Sequence, residues 1–169
     1  MWKVIGASVA GTAHQATGRQ CEDACGWRAA AEVTCLAVAI LTGSAVAVGQ
    51  IGDTIAVAGR AGSYQTLTPA PRAEYVNETA FLTGPDALGE LRINVTPAAR
   101  ADTVFLATDG LRFKILDDLT TAAPFTPFFE DLAAFARSSQ ASDDAVRAFL
   151  ADLDDQSGDD KTLLAAVRG

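Results

Sequence analysis

The sequence predicts an α+β fold built on layered antiparallel sheet. Short β-rich runs follow one another as hairpins, without the strand–helix alternation that a parallel sheet requires. Two clearly marked amphipathic helices come only after residue 125. The chain has 169 residues, 49% of them hydrophobic, enough for one substantial core, and shows no internal repeat or low-complexity tract. A single domain spanning 1–169 is expected.

Residues 2–10 read as the first strand, followed by a polar, glycine-bearing loop, "GTAHQATGRQCEDACGW". Val33 to Ile51 then runs 19 residues without a charge, about the length of a membrane span. It is mostly Ala and Val, however, and is broken at its centre by Thr42-Gly43-Ser44. Two apolar runs around a glycine-containing turn predict a hairpin with both strands buried. "TIAVAGR" follows Gly52-Asp53 as the next strand. "SYQTLT" is a short strand before the Pro69–Pro71 loop, "EYVNETAFLT" is extended, and "GPDALGEL" is a turn or short helix. "RINVT" and "DTVFLAT" are strands. Thr126 is placed to cap a helix with Pro127 at its first position, and Phe128, Leu132 and Phe135 lie along one face. Ser142 caps a second helix, with Val146, Phe149, Leu150 and Leu153 at helical spacing. "KTLLAAV" closes the chain as a strand.

The net charge of −8 argues against a nucleic-acid partner, and no Lys/Arg cluster suggests a membrane surface. "MWKVIGASVAG" lacks the features of a secretory leader, so a cytoplasmic location is expected. Cys21, Cys25 and Cys35 are odd in number and fit small, buried, reduced thiols. His14 is the only histidine, which disfavours a closed zinc site and a Ser-His-Asp or Cys-His enzyme. No Gly-rich phosphate loop or GxSxG elbow is present.

What remains is a set of carboxylates at strand ends. Asp53 follows "VAVGQIG" and Asp109 follows "VFLAT". Asp159 and Asp160 precede "TLLAAV", and Glu22-Asp23 lies in the loop after the first strand. Singly, each is an ordinary turn residue or cap. If neighbouring strands are antiparallel, the end of one lies beside the start of the next, and these acids can share an edge. Gathered carboxylates repel unless protonated or bridged by a cation. Oxygen-only donors suit Mg²⁺ or Mn²⁺.

In order, "IGASVAGTAH", "CEDA", "QIGD", "EYVNETAFLT", "LATDGL" and "GDDKTLLAAV" resemble the metal-dependent protein phosphatase 2C (PP2C, PPM-type) family, closest to its bacterial branch. The resemblance runs from Val4 to Val167. It implies a sandwich of two antiparallel sheets flanked by helices, with metals at one end. It also implies hydrolysis of phosphoserine and phosphothreonine in proteins by metal-activated water, with two Mn²⁺ or Mg²⁺ ions and in some members a third. By motif, Asp23, Asp109 and Asp159 match metal ligands and Asp53 a ligand of the third ion. Asp160 stands where Asn is usual, and Arg19, one residue out of pattern, stands for the arginine that binds substrate phosphate.

One departure is larger. The family's early Asp-Gly strand, whose aspartate bridges both metals, and the helices after it have no counterpart between about 28 and 33. This fits a natural loss, a partial gene or a chain completed in an oligomer. It leaves as the alternative a catalytically impaired pseudophosphatase that docks a phosphoprotein or partner. It further predicts a reduced or missing helical layer, an uncovered apolar sheet face around 33–48, and a homodimer through that face.

Overall fold

A computed structural model describes residues 1–18, 21, 35–67, 86–154 and 157–169 of the chain. In chain order the elements are β1 (Trp2–Val9), α1 (Thr12–Thr17), β2 (Leu36–Leu41), β3 (Ala45–Ile51), β4 (Ile55–Arg60), β5 (Ser63–Thr66), β6 (Arg92–Pro97) and β7 (Thr103–Ala107). A 3₁₀ turn (Asp109–Leu111) leads to α2 (Arg112–Ile115), β8 (Leu116–Asp118), β9 (Ala123–Pro124), α3 (Thr126–Arg137), α4 (Asp143–Asp152) and β10 (Lys161–Arg168). Five strands form one sheet in the order β1-β10-β7-β4-β5, and β2-β3-β6 form a second; neighbours are antiparallel throughout. The predicted two-sheet α+β architecture is present.

Alternation along the central strands explains the layering. Ile55 and Val57 of β4, Phe105 of β7, and Leu163, Ala165 and Val167 of β10 point toward α3 and α4. The intervening Ala56, Ala58, Val104 and Ala166 face Val46 and Val48 of β3. Large side chains thus fill the helix side, while smaller ones let the two sheets approach. Phe105 and Phe129 meet at 5.1 Å between ring centroids, and burying each contributes about 2 kcal/mol.

Several local expectations need correction. The loop after β1 contains the short helix α1. The N-cap of α3 is Phe125, with Thr126 already helical and giving no side-chain cap. Its buried face centres on Phe129, Leu132, Ala133 and Ala136, with Phe128 and Phe135 at the flanks, because the helix is rotated by one position from the sequence reading. In α4, Ser142 caps as expected, its Oγ accepting the Ala145 N–H at 3.2 Å, but Phe149 is exposed. Cys21 and Cys35 are half-buried rather than buried. "EYVNETAFLT" and Cys25 lie outside the described residues.

The hairpin also differs in burial. β2 alternates between exposed and half-buried positions instead of being covered on both faces. Val38 (45% exposed) and Ile40 (60%), with Ile93 (68%) and Val95 (63%) of β6, crown the outer face of the three-stranded sheet. Among the described helices, α3 and α4 pack on the five-stranded sheet. The outer apolar face is the one the shortened sequence predicts.

At one end of the five-stranded sheet, the backbone entering β10 is threaded between two glycines. A Cβ at Gly11 would overlap the Asp159 carbonyl, and one at Gly110 would overlap the carbonyl oxygen of Asp160. Backbone against backbone leaves nothing flexible to move aside. Gly110→Ala is expected to cost about 1–3 kcal/mol of stability in urea denaturation. Gly43→Ala, whose added Cβ meets nothing within 4 Å, should stay within about 0.5 kcal/mol. Equal effects of the two substitutions would contradict this packing.

Candidate metal centre

Register brings the strand-end carboxylates to one edge. Val9 pairs with Lys161, Ala107 with Leu163, and Ile55 with Ala107. Residues just after β1 and β7, and just before β4 and β10, therefore share one end of the sheet. Asp109 opens the 3₁₀ turn after β7 and is half-buried; Asp159, before β10, and Asp53, before β4, are exposed. The antiparallel argument thus placed these three acids correctly in the topology. Asp23, Glu22 and Arg19 lie outside the described residues.

Each loop is tied down by its own hydrogen bonds. Thr108 Oγ1 accepts the Thr162 N–H at 3.0 Å and donates to the Asp160 carbonyl at 3.3 Å, joining the end of β7 to the start of β10. Ser157 Oγ donates to the Gly110 carbonyl at 3.3 Å and accepts the Asp159 N–H at 3.2 Å. Asp159 Oδ1 accepts the next residue's N–H at 2.9 Å. On the β4 side, Gly52 turns at φ +95° where Cys35 leaves no space for a side chain. The buried Gln50 amide donates to the carbonyls of Gly52 (3.0 Å) and Thr54 (2.6 Å), stapling the turn that carries Asp53.

Asp160 behaves differently from its neighbour. It is 3% exposed, and its Oδ1 accepts the Gly11 N–H at 2.8 Å and pairs with His14 Nδ1 at 2.8 Å. A carboxylate only accepts, so Nδ1 carries the hydrogen of that bond. The Ala13 N–H also reaches the Gly158 carbonyl, at 3.0 Å. The start of α1 is therefore fastened to the entry of β10 by side chain and backbone together.

The donors at this edge are carboxylate oxygens, the chemistry of a hard cation such as Mn²⁺ or Mg²⁺. Among the described residues, no three His, Cys, Asp or Glu side chains come close enough together to hold an ion. Asp53, Asp109 and Asp159 thus share an edge without closing around a point. Sequence reasoning missed two supporting residues. In the sequence, His14 counts only against a closed zinc site and a histidine-dependent enzyme, because its bond to Asp160 leaves no local signature. Gln50, the polar residue in "VAVGQI", was the trace of the staple.

Comparison with known proteins gives the family and the fold. Serine/threonine-protein phosphatase 3 of Escherichia coli (strain K12) is 32% identical over 124 residues, covering 70% of this chain and 49% of that protein. The chain thus spans about half the length of this relative. Among solved structures, the Mycobacterium tuberculosis serine/threonine phosphatase PstP/Ppp superposes with a TM-score of 0.54 at 19% identity, over 80% of this chain and 60% of that one. The PstP catalytic domain in complex with two manganese ions gives 0.50 at 19% identity, over 79% and 57%. Residues 29–151 match the family model of protein phosphatase 2C. With most of its length inside that match, and with the fold of these phosphatases, the chain belongs to the protein phosphatase 2C family.

Proposed function

We propose that this chain is a metal-dependent serine/threonine phosphatase domain acting on phosphorylated proteins in the cytoplasm. The observation that carries the reading is the convergence of Asp53, Asp109 and Asp159 on one sheet edge in a chain of this family. Asp109, Asp159 and Asp23 would hold Mn²⁺ or Mg²⁺, with Asp53 at a peripheral ion and Arg19 against the substrate phosphate. When bound, the metal supplies Lewis acidity that activates water and neutralises the phosphoryl group. The chain's own part is to fix the carboxylates, through Thr108, Ser157 and Gln50, so that the ion does not choose its own position. Without a cation, the acids at this edge would repel a phosphate dianion. One domain over 1–169, shortened between about 28 and 33, is consistent with two cores that share the five-stranded sheet. No described helix is long and apolar enough to cross a membrane.

Hydrolysis of a phosphothreonine peptide should require Mn²⁺ or Mg²⁺, and Asp109→Asn should lower it on the order of a hundredfold, the scale expected for a misplaced reacting group. Turnover that persists in chelator would sink the metal assignment. Saturable phosphopeptide binding without turnover would instead favour the pseudophosphatase alternative.

For a protein partner, the uncovered face of the β2-β3-β6 sheet favours a second copy of the chain. Three strands of about six residues make a plateau of roughly 300 Å² in plan, well short of the ~800 Å² per partner typical of a stable interface. A weak, concentration-dependent dimer is therefore expected. Light scattering should show the mean mass rising with concentration for the wild type and staying monomeric for Val38→Lys/Ile93→Lys. A wild type that remains monomeric at every concentration would remove this partner.

A further inference from the structure

We propose that His14 and Asp160 form a clasp that positions Asp159, so that His14 is a positioning residue of the metal centre. This rests on the metal-dependent reading above. The sequence departs from the family pattern in having Asp rather than Asn at position 160, next to the matched ligand Asp159. That carboxylate is almost fully buried, which is costly unless it is paired. Part of the compensation comes from the chain's only histidine, 146 positions away in sequence, at 2.8 Å, together with the Gly11 N–H at the same distance. Both donors stand at the β1–α1 junction, and the acceptor stands at the entry to β10.

The clasp acts on the neighbouring ligand through the backbone. Asp160 donates its N–H to Asp159 Oδ1, so fixing Asp160 also fixes one carboxylate oxygen of Asp159. The Asp159 carbonyl lies against Gly11, which closes the path along which the loop could slide. Removing His14 leaves the Asp160 carboxylate buried with one donor fewer. The segment should then rotate to rehydrate it and carry Asp159 with it. Partners that orient a metal ligand commonly change metal affinity by about 10–100-fold when removed.

The test uses the full chain, Mn²⁺ alone as probe and calorimetry as readout, with thermal melting of the metal-free protein recorded in parallel. His14→Ala is expected to weaken Mn²⁺ binding by about tenfold. His14→Asn, whose side-chain N–H stands where Nδ1–H stands, should remain within about threefold of wild type. Should His14→Ala fail to fold, Asp160→Asn takes its place. It keeps the shape but replaces charge-assisted bonds with neutral ones, so a loss of about threefold is expected. Lowered melting temperatures with unchanged Mn²⁺ affinity in the folded variants would overturn the clasp, making the pair structural only, and leave the metal reading intact. Absence of Mn²⁺ binding by the wild type would overturn both.

Discussion

The structure depends on the close passage of one strand entry between two glycines. Residues 158–160 run between Gly11 and Gly110 with no room for a Cβ on either side, and from there β10 continues between β1 and β7 in the larger sheet. That position is set by close backbone packing, which leaves no flexible side-chain end to give way. Asp109 precedes one of the glycines, and Asp159 lies on the threaded segment. The glycines that make the packing possible therefore also locate the carboxylates.

Around this point the chain spends polar groups on holding loops. Thr108, Ser157 and the His14–Asp160 pair each join segments distant in sequence, while Gln50 staples its own turn, and each lies within a few residues of a candidate ligand or beside its loop. Charge is treated in two ways at the same edge. Asp160 is buried and bonded within the protein, whereas Asp159 is exposed beside it. Two adjacent, chemically identical residues acquire different roles from burial alone, one holding and one available.

Much of this was legible in the sequence because it followed from periodicity and adjacency. Alternating apolar runs marked the strands, and antiparallel pairing allowed Asp53, Asp109 and Asp159 to share one end. The ordered motifs carried the family. What could not be read were facts of three-dimensional contact. Helix α1 hides in a Gly- and Thr-rich stretch with no apolar face, and α3 shows Phe128 and Phe129 side by side, so only packing decides which turns inward. The bond between His14 and Asp160 spans nearly the whole chain and has no local signature. The exposure of Val38 and Ile40 was legible only through what the sequence lacks.

The central claim is that this edge of the five-stranded sheet is where a hard cation binds. Paramagnetic broadening by substoichiometric Mn²⁺, read residue by residue in an amide NMR spectrum, tests it most directly, because broadening falls off steeply with distance from the ion. The amides of Gly11, Asp53, Asp109, Gly110 and Asp159 should broaden first, while those of α3 and of the outer hairpin around Gly43 stay sharp. Broadening centred elsewhere, or spread evenly over the acidic surface, would contradict the account.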